Sequence, residues 1–190
     1  MHARHVGFVA AVLLVTAVTY VVWVAGPERI LAWIGVENVY LLTFLFAIIG
    51  GVSAFTATSF YAALFAFALG GANPYLLALF SAPGVLIGDL VFWYAGYHGR
   101  GLAEESFGQH LQRFSGWLAR RPAWFVPIVA YAYTAVAPLP GDFLMIAVAL
   151  AGYPLKKVLL PVLLGNFTIA LIVTLSAVYG IGFVNTLFAY

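Results

Sequence analysis

The stretch Pro138-Leu139-Pro140-Gly141-Asp142 interrupts an otherwise apolar run from residue 123 to residue 152. Two prolines in three positions stop a helix, because proline lacks the donating N–H and collides with the preceding turn. Within a membrane such a break leaves backbone groups unpaired at several kcal/mol each, so it persists only where it is buried in protein or lines a wet cavity. It also carries a carboxylate to that depth. How this stretch is read decides whether its flanks form one span or two short legs that turn back.

The whole chain points to a membrane. Of its 190 residues, 65% are hydrophobic and 7% charged, against roughly 25% charged in a soluble domain. The net charge of +2 gives no reason to expect a nucleic-acid partner. Without cysteine, disulfides, thiolate chemistry and cysteine–metal sites are excluded. His2, His5, His98 and His110 form no ligand pair one helical turn apart in an apolar segment, so neither a metal nor a cofactor is expected. No nucleophile with a base and an orienting partner assembles at one depth, and no Walker-type glycine loop is present, so no enzyme is expected. The first apolar run, residues 6–24, is long enough to cross a core of roughly 30 Å. Gly26-Pro27-Glu28 is a poor cleavage site, so the run reads as a retained anchor rather than a signal peptide.

Placed on itself with an offset of 81, the chain aligns Gly71 with Gly152, Gly84 with Gly165, Gly99 with Gly180 and Gly101 with Gly182. Each half then reads as a hairpin of two apolar legs followed by a longer apolar helix. In half one the legs are 39–55 and 61–69 and the helix is 75–97; in half two they are 123–137 and 142–151, and the helix is 158–183. The leg 142–151 has ten residues, about 15 Å of helix and half of a span. The expectation is an all-α integral membrane protein, an inverted repeat of re-entrant hairpin plus transmembrane helix. Residues 1–38 form an N-terminal helix and external loop, 39–101 the first repeat (hairpin 39–70), 102–122 a connector, and 123–190 the second repeat (hairpin 123–152).

With Arg4 inside, this topology puts Arg100, Arg113, Arg120, Arg121, Lys156 and Lys157 on the cytoplasmic side as well. Seven of the eight basic residues then obey the positive-inside bias. The chain is thus expected in the cell membrane as a multi-pass protein, its N-terminus cytoplasmic and its C-terminus external. In the connector, Leu102, Phe107, Leu111, Phe114 and Leu118 fall near one helix face. It is expected to lie on the cytoplasmic surface with its arginines near anionic headgroups; a solvated linker helix is the other reading.

Only two acidic residues fall at membrane depth, Asp89 and Asp142. An unpaired carboxylate there is costly, so each should be protonated, hydrated or paired through the fold. Asp142 follows Pro-Leu-Pro-Gly and can serve as an N-cap; Asp89 lies mid-helix, where no backbone donor is free. Half one carries Ala57-Thr58-Ser59-Phe60-Tyr61 in place of the proline break, which sets Tyr61 opposite Asp142. Thr56, Thr58, Ser59, Tyr61, Thr134 and Asn166 can line a polar cavity, or can bond to carbonyls of their own helices.

These residues resemble the DedA family, also called the VTT or SNARE-associated Golgi protein family. The resemblance rests on 34–71, on Gly88-Asp89 followed by Tyr94, Gly96, Gly99, Arg100 and Gly101, and on Pro138 to Gly152. It implies two embedded re-entrant hairpins and movement of lipids between leaflets, phospholipid or polyprenyl phosphate, coupled in some members to protons. The chain departs from the family in having no acidic residue at 49–51 and no arginine at 130–145. The expected lipid path comprises Asp89, Asp142, Pro138, Pro140, Gly141, Tyr61, Ser59 and Asn166, with membrane lipids, and protons if transport is coupled, as partners. Two other readings stand beside it: a proton- or ion-coupled solute transporter, and a non-transporting membrane biogenesis factor.

Overall fold

The computed structural model describes residues 35–51, 54–136 and 141–188. These form six helices and, among the described residues, no strand: α1 (Val36–Gly50), α2 (Ala54–Leu69), α3 (Pro74–Ala119), α4 (Phe125–Val136), α5 (Gly141–Leu150) and α6 (Leu155–Phe188). The expected N-terminal helix lies outside the described residues, as do Pro138 and Pro140 and the side chains of Arg100 and Asp142.

Two stretches, Pro74–Gly99 of α3 and Leu155–Gly180 of α6, are long and apolar enough to cross a membrane. Fewer than half of the positions in either window are buried inside the protein. Large apolar side chains such as Leu79, Val91, Leu160 and Ile172 point outward instead. The remaining apolar helices are short. At 15, 16, 12 and 10 residues, α1, α2, α4 and α5 reach about 22, 24, 18 and 15 Å.

The two long helices run antiparallel through the centre. Thr174 Oγ1 of α6 donates to the Pro74 carbonyl at the start of α3, while Asn166 meets Asp89 fifteen residues further along α3. Around them the hairpins interlock: α1 packs on α3 and α4 on α6, while α2 packs on α6 and α5 on α3. One apolar core joins α1, α2 and the start of α3 to Ala170 and Ala177 of α6. The other joins α4 and α5 to the middle of α3 and the start of α6.

Both hairpins close on the same turn. The N–H groups of Gly70, Gly71 and Ala72 donate to the carbonyls of Ala66, Ala68 and Phe67; those of Ala151, Gly152 and Tyr153 donate to Ala147, Ala149 and Val148. Gly71 and Gly152 hold φ of 99° and 69°, the left-handed position that ends a helix in a Schellman motif. Asn73 then caps α3, its Oδ1 accepting from the N–H groups of Tyr75 and Leu76, with Pro74 at the first helical position. Tyrosine hydroxyls tie the hairpin ends together: Asn73 N–H donates to Tyr40 Oη (3.1 Å), and Tyr153 Oη donates to the Ala123 carbonyl (3.4 Å).

The first legs correspond at a different offset. Val39, Thr43 and Ala47 of α1, and Val126, Ala130 and Thr134 of α4, are the buried stripes of their helices, 87 positions apart. Gly84 lies against Phe44 and Ala47 as Gly165 lies against Tyr131 and Thr134. The six-residue difference between the offsets is the difference in length between α2 and α5, of 16 and 10 residues. This corrects the expected break in half one. Residues 57–61 are helical, and the chain turns at Gly51, the C-cap of α1. A turn made by glycine without proline left a weaker mark in the sequence, and α2 carries Thr58 and Ser59 without breaking.

A second correction concerns the connector. The helix does not end near residue 97 but continues to Ala119 as one helix of 46 residues. Gly99 and Gly101 cost about 1 kcal/mol each relative to alanine, which is too little to end a helix with no proline before Pro122 and good helix formers between.

Candidate functional site

Asp89 lies in α3 near the middle of the apolar span and is 2% exposed. Asn166, near the middle of the span of α6 and also buried, donates from Nδ2 to Asp89 Oδ2 at 2.8 Å. Gly141, the first residue of α5, presses against the same carboxylate, so that a Cβ added there would collide with Oδ1. The second hairpin thus brings the amino end of a helix, with its partial positive charge, to a buried carboxyl.

The first hairpin arrives beside it. Gly51 at the end of α1 sits against Gly88 and the Val85 carbonyl; a Cβ on Gly88 would stand 2.6 Å from the Gly51 backbone. Tyr61 of α2 packs against the first apolar core. The carboxylate therefore lies where the ends of both hairpins approach the two long helices.

No Lys or Arg occurs at 30–99, 122–155 or 158–190. Within those stretches the groups that can compensate a charge are amide and helix dipoles, and a carboxyl at such a depth can exchange a proton or hydrate a polar group. The arrangement is asymmetric: at the offset of 81, Asp89 and Asn166 correspond to Ala170 and Val85, an apolar pair.

Of the residues expected in the path, Asp89, Asn166 and Gly141 come together. Asp142 follows Gly141 and so falls inside the first turn of α5 rather than at its cap; an acidic residue there still meets the favourable end of the helix dipole. Ser59 lies within α2, its Oγ buried and without a hydrogen-bond partner. Thr134 is satisfied within α4, donating to the carbonyls of Ala130 and Tyr131. Trp93 was missed by sequence reasoning. Its Nε1 is buried without a partner one turn beyond Asp89, an orphaned donor of the kind that waters or ligands satisfy; the i, i+4 spacing from Asp89 was the available signal.

Arg113, Arg120, Arg121, Lys156 and Lys157 are exposed and away from Asp89. Arg121 stacks its guanidinium 4.4 Å from the Trp117 ring and Lys157 sets its ammonium 5.8 Å from the Tyr153 ring. The Tyr153–Ala123 hydrogen bond joins these two basic corners at one end of the bundle. Among the described residues, no cluster of three His, Asp or Glu side chains that could hold a metal is present. No known protein family, curated protein or solved structure matches the chain.

Proposed function

We propose that this chain is an integral membrane protein of the DedA/VTT kind that passes lipid headgroups between leaflets, with the hairpins α1–α2 and α4–α5 re-entrant from opposite faces. The observation that carries the reading is the convergence of one hairpin end from each half on a single buried carboxylate–amide pair near mid-span. Supporting it are the antiparallel long helices, the matching hairpin turns and the outward apolar side chains. Two full spans per hairpin would leave the loops on the same sides as a re-entrant hairpin, so charge bias does not choose between them. The leg lengths favour the re-entrant form: none of the four reaches about 30 Å.

In this reading Asp89 and Asn166 form a closed centre. Parting of the hairpin ends would expose the carboxylate, the amide, the orphaned Trp93 Nε1 and the Ser59 Oγ to a headgroup, while acyl chains stay in the bilayer. A proton- or ion-coupled solute carrier is the second reading, favoured by the placing of a titratable group against a neutral amide.

The test is reconstitution in liposomes with fluorescent phospholipid or polyprenyl phosphate, following dithionite quenching. Wild type should expose the inner-leaflet probe, and Asp89→Asn should slow exchange at least tenfold. Proton uptake into sealed vesicles without exchange of either probe would transfer the assignment to the solute carrier.

A further inference from the structure

Gln109, Arg113, Gly116, Trp117 and Arg120 recur at the spacing of one helix face, and on α3 they line an open groove of about 460 Å³. Arg113 and Arg120 make no hydrogen bond or ion pair among the described residues. No Asp or Glu occurs at 106–141, and none follows Asp142. The wall of the groove is held in place: Arg121 lies over the Trp117 ring, which meets Phe125 edge-on at 5.8 Å. Phe125 opens α4, so the groove stands where the second hairpin enters the bundle.

We propose that this groove docks the phosphate of an anionic phospholipid headgroup, an assignment that rests on the membrane reading above. Two guanidinium forks match phosphate oxygens in pairs, and indoles favour the headgroup level of a bilayer. The lipid source, rather than free phosphate, follows from what adjoins the groove. Trp124, in ring contact with Phe125, begins an exposed apolar strip that continues through Ile128 to Tyr131 down α4. A headgroup held by Arg113 and Arg120 would lay its acyl chains along that strip.

The experiment titrates the full chain in detergent with dioctanoyl phosphatidic acid, dioctanoyl phosphatidylcholine and inorganic phosphate, reading binding by thermophoresis. Wild type should bind phosphatidic acid best, and Arg113→Gln/Arg120→Gln should weaken it by roughly 25-fold, about fivefold per arginine near a membrane surface. Arg113→Lys/Arg120→Lys, which keeps charge and loses the forks, should fall between and serves if the glutamine variant does not fold. Equal affinity in wild type and variants overturns the proposal, as does inorganic phosphate binding as tightly as the lipid. Carbonate extraction of cell membranes separates the two levels of failure. Release into the soluble fraction overturns the membrane reading and the groove together, whereas a retained protein without preference for phosphatidic acid overturns the groove alone.

Discussion

Asp89 is hydrogen-bonded by a neutral amide, stands at the amino end of α5, and has no room around Gly141. Replacing a carboxylate by the isosteric amide keeps this shape, so Asp89→Asn should hold the thermal midpoint in detergent, within about 1 kcal/mol of stability, while slowing the proposed exchange at least tenfold. Asn166→Leu removes the donor and should cost about 1–3 kcal/mol. Gly141→Ala would push the Asp89 side chain off Asn166. It should destabilise by about 1–3 kcal/mol alone and by much less in an Asp89→Ala background; additive losses in that double-mutant cycle would sink the contact. The sequence shows each polar residue singly, as a polar letter in an apolar helix. It does not show that Asp89 meets Asn166, 77 positions away, instead of pairing within its own half. That pairing depends on the crossing of α3 and α6, which local periodicity does not encode.

The helix ends were legible where backbone chemistry is strong. One helix ends at Val136 and the next begins at Gly141, on either side of the proline stretch, and Gly71 and Gly152 marked both closing turns, since only glycine takes that conformation at little cost. The break in half one was misplaced by about two helical turns because Gly50-Gly51 carries no proline and Thr58-Ser59 mimics a loop. Close approach distinguishes these glycines from others in the same helices. Gly88→Ala would drive a methyl into the Gly51 backbone, which cannot rotate away, and should lower stability by about 1–3 kcal/mol. Gly99→Ala meets nothing within 4 Å and lies inside continuous helix, so it should be neutral or stabilise by up to about 1 kcal/mol. Thermal unfolding of the two variants in detergent checks the contrast; equal midpoints would mean that α1 and α3 are not packed this closely.

For the whole molecule the decisive quantity is how deep the hairpin ends go. A chain without native cysteine permits single cysteines to be read against a clean background with an impermeant maleimide. In the proposed topology Asn73→Cys, beside the closing turn of the first hairpin, should react from outside. Gln109→Cys and Lys156→Cys should react from inside, because the basic corners of α3 and α6 share one end of the bundle. Those three labels fix the faces without distinguishing a turned-back leg from a full span. Ser53→Cys, between α1 and α2, separates them. If α1 and α2 crossed the bilayer, this position would emerge on the side of Gln109 and react there. If α1 ends at the depth of Gly88, as its contact with Gly51 requires, the cysteine stays unreactive from that side in intact vesicles and reacts after denaturation. Labelling of Ser53→Cys from the side of Gln109 would remove the re-entrant hairpin, and with it the reason for placing Asp89 at the meeting point of two hairpin ends in mid-bilayer.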